Sequence, residues 1–319
     1  MIAELAEATP VHALLLGELP FDAHFRRDHF APPERNGHPW VLEVGGMVRR
    51  PLRLDAAGLR ALGGRSELVT LECAGHRRTE HRPLPPGLPW GVGALGEARW
   101  TGTPLATVLA RAGVLPGARA VVLEGADAGP VPGRDEDEPF ARALPLAKAR
   151  APETLLAWAV GGAAIEHRRG GPVRAIVPGW YATDSVKWLA RVTVVADEFT
   201  GFFEAEDYRV DGARLTALPV HALVLDAGPE LVRGIAWGGE GGVARVDVRA
   251  DGGPWLPAEL GPPRGAYARR FWSARRPASA RVLEVRATDA AGLAQPGEPR
   301  PNPCGYANNS VHRVEMQVP

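Results

Sequence analysis

The densest group of chemistry-bearing residues lies in LVTLECAGHRRTEH, Leu68 to His81. An apolar, β-branched run ends in Cys73, an Ala-Gly pair supplies a tight turn, and His76, Arg77, Arg78 and His81 follow. A thiol at the end of a strand, beside two guanidinium groups, has a lowered pKa because the cations favour the thiolate. Such a thiolate suits a soft metal ligand next to a site for an oxyanion, which Arg binds bidentately. Three other readings use the same residue types. Cys73 can be a small buried hydrophobe. Cys73, His76 and His81 can be three zinc ligands with an open fourth position, as in a hydrolase. Cys73 with a His can be a covalent nucleophile and its base. Spacing alone leaves all of these open.

A second motif is discounted. GVGALG, Gly91 to Gly96, matches the dinucleotide fingerprint letter for letter. That fingerprint needs a strand before it and a helix after it. Here Arg82 to Pro89 contains Pro83, Pro85, Pro86 and Pro89, none of which can donate to a ladder.

The elements that must position Cys73 alternate between strand and helix patterns. Strands are expected at Val41–Val48, Leu68–Glu72, Ala120–Leu123, Val173–Val177 and Leu189–Val195. Helix signals stand at Thr103–Ala112, with Thr103 as N-cap and Pro104 in the first position, and at Ala56–Leu62 after Asp55. Gly113 and the Gly63-Gly64 pair are their stops. After Glu204 short strands recur between turns: Leu231–Trp237, Ala244–Arg249, Trp255–Leu260, Ala268–Trp272, Arg281–Arg286 and Val311–Val318. Asp251-Gly252-Gly253 reads as a hairpin turn, and Pro257 marks its strand as an edge. The pattern predicts an α+β chain. A mixed α/β domain over 1–210 is followed over 211–319 by an immunoglobulin-like β-sandwich, whose strand count it matches.

Composition narrows the function. The chain has 319 residues, 37 Lys+Arg against 37 Asp+Glu, and two Cys. Zero formal net charge argues against a nucleic-acid partner, whose phosphates demand surplus cations. Two Cys without a C-x-x-C pair exclude a disulfide framework, a zinc ribbon and a dithiol redox centre. The longest early apolar run, Val11 to Leu16, is too short for a signal core or a membrane span, so a soluble cytoplasmic protein is expected. Arg26-Arg27 is not an export signal, because a polar, Pro-rich stretch follows it.

Further blocks complete the picture. ECAGHRR resembles the Cys-Ala-Gly-Asn-Arg-Arg signature of the sulfite oxidase family of molybdenum enzymes. HFRRDHFAPP (His24 to Pro33), GALGEARWTGTPLATVL (Gly93 to Leu109), GPVRAIVPGWYATDSVKWLARVTV (Gly171 to Val194), FFEAEDYR (Phe202 to Arg209) and NPCGYANNSVHRVEM (Asn302 to Met316) resemble that family's other blocks in the same order. The resemblance implies one molybdenum on a single molybdopterin dithiolene, with Cys73 as the protein's thiolate ligand. It places Arg27 and Arg78 in an oxyanion pocket, with Arg77 close by, and Tyr208 near the oxo ligand. By the same likeness Phe25, Arg26, Arg27, Asp28, His29, Asp127, Arg169, Arg174, Ser185, Val186 and Lys187 bind the pterin and its phosphate, with His167 competing with Arg169. It further implies a homodimer formed through the second domain. Only some 20 residues precede Phe21, too few for the family's haem domain on ordinary size grounds, so electrons are expected to leave to an external acceptor.

Two departures bear on substrate. His76 replaces the family's Asn, adding a group expected to titrate near neutrality. Cys304 stands where sulfite-oxidising members have Arg, which removes a charged hydrogen bond worth roughly 1.5–3 kcal/mol. The expected activity is oxidation of sulfite to sulfate. The alternatives are a relative acting on a nitrogen or sulfur oxide, a zinc hydrolase, and a catalytically silent binding module.

Overall fold

The computed structural model describes residues 6–34, 37–277 and 280–316. They form two compact units that interleave along the chain. One comprises Arg26–Glu67 and Arg99–Thr216 with the chain up to Glu7, and the other comprises Ala8–Phe25, Leu68–Ala98 and the chain from Ala217 onward. The chain last passes from one unit to the other after Thr216. The signature around Cys73 belongs to the later unit.

In the first unit a five-stranded mixed sheet runs in the order Leu52–Asp55, Val41–Gly46, Leu189–Val195, Ala120–Gly129 and Glu138–Pro145. Val41–Gly46 and Leu189–Val195 pair in parallel, and the other neighbours are antiparallel. Leu42 and Val44, Val121 and Leu123, and Val192 and Val194 are buried and stand two apart in their strands, so each pair lies on one face, while Glu43 and Arg191 are exposed. In the same unit Leu155–Val160 pairs with Ala163–Ala164, with Arg174–Ile176 and with Trp100 to Pro104 of the strand Leu95–Pro104. The helix Leu105–Ala112 buries Leu105, Val108, Leu109 and Ala112, and stops at Gly113 with φ of 74°.

The cap of that helix differs from expectation. Pro104 is the N-cap, and Thr103 stays in the strand because its hydroxyl donates to the Leu59 carbonyl at 2.9 Å. Asp55 does cap the helix Ala56–Ala61, accepting from the Gly58 N–H at 2.7 Å. GVGALG runs into the strand Leu95–Pro104 rather than a helix, so its glycines serve packing. A Cβ on Gly93 would lie 2.7 Å from the Thr9 carbonyl oxygen.

The later unit contains two four-stranded antiparallel sheets. One has the order His221–Ala227, Leu231–Trp237, Arg270–Arg275, Glu259–Leu260, and the other Leu256–Pro257, Arg245–Ala250, Val282–Thr288, His312–Glu315. Both sheets contribute to one core, in which Ala222, Val232 and Trp272 meet Val246, Leu283 and Val285. This is a β-sandwich. The strand expected over Trp255–Leu260 is split between the two sheets as short edge pieces, consistent with a Pro that cannot donate. His221–Ala227 was not foreseen, and the last two residues of the strand expected at Val311–Val318 lie outside the described residues.

Candidate active site

The strand Arg65–Glu72 delivers Cys73 at its carboxyl end, as the sequence implies. The Cys73 N–H donates to Ala94 O at 3.0 Å, and its carbonyl accepts from the His76 N–H at 2.9 Å, closing the Ala-Gly turn. Cys73 is partly exposed.

Arg78 is held from several sides. Its Nε donates to Cys304 O at 2.9 Å and its Nη1 to Leu88 O at 2.7 Å. The Tyr306 ring lies 5.3 Å from the guanidinium carbon. A Cβ on Gly75 would fall 2.7 Å from Nη2, one on Gly87 2.8 Å from Nη1, and one on Gly305 2.9 Å from Cγ. Three glycines therefore leave the channel in which this side chain lies. Among the described residues nothing accepts a hydrogen bond from Nη2, which leaves a fixed donor for an anion.

Arg77 does not share that role. Its guanidinium is fully buried, pairs with Glu80 at 2.5 and 2.7 Å, and donates to the carbonyls of Ser310 and Val311. It ties the signature loop to the final strand region, so the pocket expected of Arg27, Arg77 and Arg78 has Arg77 as a structural member.

His76 also departs from expectation. It is completely buried, neither ring nitrogen has a hydrogen-bond partner, and its ring stands edge-on to Trp237 at 5.7 Å. Burial, and then the nearby His221, Arg77 and His312, push its pKa well below 6.5, so it stays neutral across the physiological range. Among the described residues no group of three or more His, Cys, Asp or Glu can hold a metal, which removes the zinc triad of Cys73, His76 and His81. Beside it Trp237 donates to Glu72 at 2.7 Å, and burial raises the Glu72 carboxyl to about 8.

The first unit carries the other expected residues. Lys187 Nζ donates to Arg27 O at 2.7 Å and pairs with Asp28, which also pairs with Arg26. Arg174, fully committed to carbonyls at its two terminal nitrogens, donates to Arg169 O at 3.1 Å and Ser185 O at 3.0 Å. The Ser185 hydroxyl accepts from the Val177 N–H at 3.0 Å. Val186 is buried, and its carbonyl accepts from the Ala175 N–H at 2.8 Å. Arg169 approaches Glu7 at 3.5 Å, whereas the His167 ring faces the carbonyls of Pro33 at 2.8 Å and Gly171 at 3.3 Å. Phe25 belongs to the later unit, where its N–H donates to the Thr9 hydroxyl at 2.8 Å.

Asp127 sits where the pairing of Ala120–Gly129 with Glu138–Pro145 is interrupted between Glu124 and Ala128. Gly125 is required there, since a Cβ would lie 2.3 Å from Asp127 Oδ1. That oxygen has no partner, and burial lifts the carboxyl to about 7 despite the opposing pull of Lys187.

Tyr208 Oη lies 2.5 Å from His29 Nε2, and Arg27 Nη2 lies 3.3 Å from His29 Nδ1. Arg can only donate, so Nδ1 is the bare nitrogen and Nε2–H donates to the tyrosine oxygen. The Tyr208 proton is then directed away from His29. Burial, then Arg27 and Lys187, lower the His29 pKa, which keeps the imidazole neutral. Sequence reasoning missed Arg142, fully buried, which pairs with Asp184 at 3.2 Å and Glu204 at 3.4 Å with its guanidinium 5.6 Å from the Tyr208 ring. It also missed Gly87, Gly305 and Tyr306, whose signal was only a Pro- and Gly-rich texture.

Comparison with known proteins now decides the family. The model "Oxidoreductase molybdopterin binding domain" matches residues 29–203, and "Mo-co oxidoreductase dimerisation domain" matches 206–319. The chain is 36% identical to sulfite oxidase of Gallus gallus, covering 92% of this chain and 72% of that protein. The chain belongs to the sulfite oxidase family of molybdenum-pterin oxidoreductases. It is also 34% identical to mitochondrial sulfite oxidase of Mus musculus over 92% of its length, but spans only 60% of that relative. The crystal structure of the sulfane dehydrogenase SoxCD from Paracoccus pantotrophus has the same fold, with a TM-score of 0.85, 24% identity, and coverage of 99% of this chain and 87% of that one.

Molybdenum on molybdopterin is accordingly this family's cofactor. The residues present fit it. Arg26 Nε and Arg174 Nε are buried without partners, and so is Asp127 Oδ1. Together they offer donors and an acceptor to a ring system with many hydrogen-bonding edges. Arg26, Arg27, Arg169, Arg174 and Lys187 outnumber Asp28, Glu7 and Asp127, a surplus of positive charge suited to its phosphate.

Proposed function

We propose that the protein oxidises sulfite to sulfate, SO3²⁻ + H2O → SO4²⁻ + 2H⁺ + 2e⁻, and passes the electrons one at a time to an external acceptor. Cys73 supplies the thiolate ligand, and Phe25 to His29, Asp127, Arg169, Arg174 and Ser185 to Lys187 hold the pterin. The bound molybdenum supplies two-electron oxo-transfer chemistry. The protein's own part is to bind and orient the anion. Arg78, immobilised by its two carbonyl bonds and its glycine channel, presents Nη2 to an anionic oxygen. Arg27 adds a second guanidinium, and the Tyr208 hydroxyl donates without adding charge.

The observation that carries this reading is the fixed Arg78 five residues after a partly exposed thiol at a strand end. The names of the relatives support sulfite as the substrate. The β-sandwich is read as immunoglobulin-like and as the surface of a homodimer, a reading supported by the dimerisation-domain match. A cytoplasmic location is proposed with it; no helix among the described residues is long and apolar enough to cross a membrane. The test is sulfite-dependent reduction of ferricyanide by molybdenum-loaded protein, with sulfate measured as product. Full molybdenum content without sulfate formation sinks the reading, and turnover of a nitrogen or sulfur oxide instead would favour the related reductase.

A further inference from the structure

Tyr208 has a backbone conformation that its surroundings must impose. Its φ is 49°, in the left-handed region that a bulky side chain disfavours, so neighbouring contacts have to over-determine it. The Tyr208 N–H donates to Asp207 Oδ1 at 2.7 Å, and its carbonyl accepts from the Leu215 N–H at 2.9 Å. These bonds lie within the segment itself. What ties the segment to a strand of the sheet is Arg142.

Arg142 lies in Glu138–Pro145 and is fully buried. Its Nη1 donates to the Phe203 carbonyl and its Nη2 to the Leu215 carbonyl at 3.4 Å, so one side chain holds the chain on both sides of Tyr208. Its Nε donates to Asp184 at 3.2 Å, which fixes the rigid fork in place. Burial disfavours its charge, but Asp184, Glu204 and then Tyr208 outweigh that and hold its pKa above the ordinary value. The charged guanidinium stands 5.6 Å from the centre of the Tyr208 ring.

The same strand also seats the partner of Tyr208. Side chains alternate across a strand, so Phe140 shares a face with Arg142, while Ala141 and Ala143 pack together in a separate apolar cluster. The Phe140 ring stacks on His29 at 5.1 Å with the planes 16° apart, and His29 Nε2 lies 2.5 Å from Tyr208 Oη. Phe203, whose carbonyl Arg142 holds, packs against Phe140 at 4.6 Å and His29 at 4.7 Å. One strand face thus carries a seat for each member of the hydrogen-bonded pair.

Resting on the function proposed above, in which the Tyr208 hydroxyl donates at the site, we infer that Arg142 is a positioning residue that sets where this hydroxyl is presented. It acts through Tyr208 and touches no substrate.

The chain has four Tyr, so labelling the hydroxyl-bearing ring carbon with carbon-13 gives four NMR signals, and Tyr208→Phe identifies the one of interest. The experiment compares the full chain with Arg142→Lys, which keeps a cation but cannot span two carbonyls and a carboxylate, and with Arg142→Leu. Both changes should move the Tyr208 signal and leave those of Tyr267 and Tyr306, which belong to the other unit, in place. In molybdenum-loaded protein, kcat/KM for sulfite should fall about tenfold to a hundredfold in either variant. The same changes made in Tyr208→Phe should cost no more than about twofold, because nothing remains for Arg142 to position. Lower stability with an unmoved Tyr208 signal overturns the inference and leaves the proposed function standing. Equal losses of activity in both backgrounds overturn it too. Fully loaded wild type that forms no sulfate defeats the proposed function, while the NMR comparison still decides whether Arg142 holds Tyr208.

Discussion

His76 offers a sharp test of the physical picture, because a fully buried imidazole with two unpartnered nitrogens is an uncompensated cost. Replacing it with Leu, of similar volume, removes both polar atoms. Each buried unsatisfied group costs about 1–3 kcal/mol, and an apolar replacement of similar shape is tolerated, so His76→Leu should stabilise the protein by about that much at about pH 7.5. The gain should grow in acid. The folded pKa lies well below 6.5, so below that pH the unfolded chain takes up a proton that the native state refuses. Stability is therefore present above the unfolded pKa and lost as pH falls through it. Between about pH 7.5 and pH 5.5 the wild type therefore loses stability at this site that the variant keeps. Urea denaturation of both proteins at the two pH values measures the difference. A variant destabilised equally at both pH values would refute the reasoning, showing that the nitrogens are paired and the imidazole is no penalty.

Other outcomes follow from the same geometry. Gly87→Ala places a Cβ 2.8 Å from Arg78 Nη1 at φ of 104°, so steady-state kinetics should show KM for sulfite raised roughly tenfold to a hundredfold, with a smaller change in kcat. Cys304→Arg should lower KM for sulfite by about tenfold or more, the effect of one added charged hydrogen bond. Arg142→Leu strands Asp184 and Glu204 with Arg214 as their remaining partner, and denaturation should show a loss of about 3 kcal/mol.

Much of this was legible in the residues. Cys73 sits at a strand end because the run from Leu68 is β-branched and apolar and the Ala-Gly turn closes it. The paired sandwich sheets follow from short strands and turn punctuation. Less legible were features fixed by distant partners. Arg77 and Arg78 are adjacent and alike in sequence, yet one is consumed by Glu80 and carbonyls more than 230 positions away, while the other keeps a free donor. His76 reads as a titrating group only while its burial against Trp237 and His221 is unknown. Thr103 has the chemistry of a cap, but the Leu59 carbonyl claims its hydroxyl. The glycine channel around Arg78 draws on positions 75, 87 and 305, a grouping that no local pattern announces.

The central claim is that Cys73 is the protein's thiolate ligand to molybdenum, and molybdenum-edge X-ray absorption of the loaded protein tests it most directly. Cys73→Ser should lose one sulfur from the metal's coordination shell, whereas Cys304→Ser should leave the shell unchanged. An identical sulfur shell in wild type and Cys73→Ser would contradict the account.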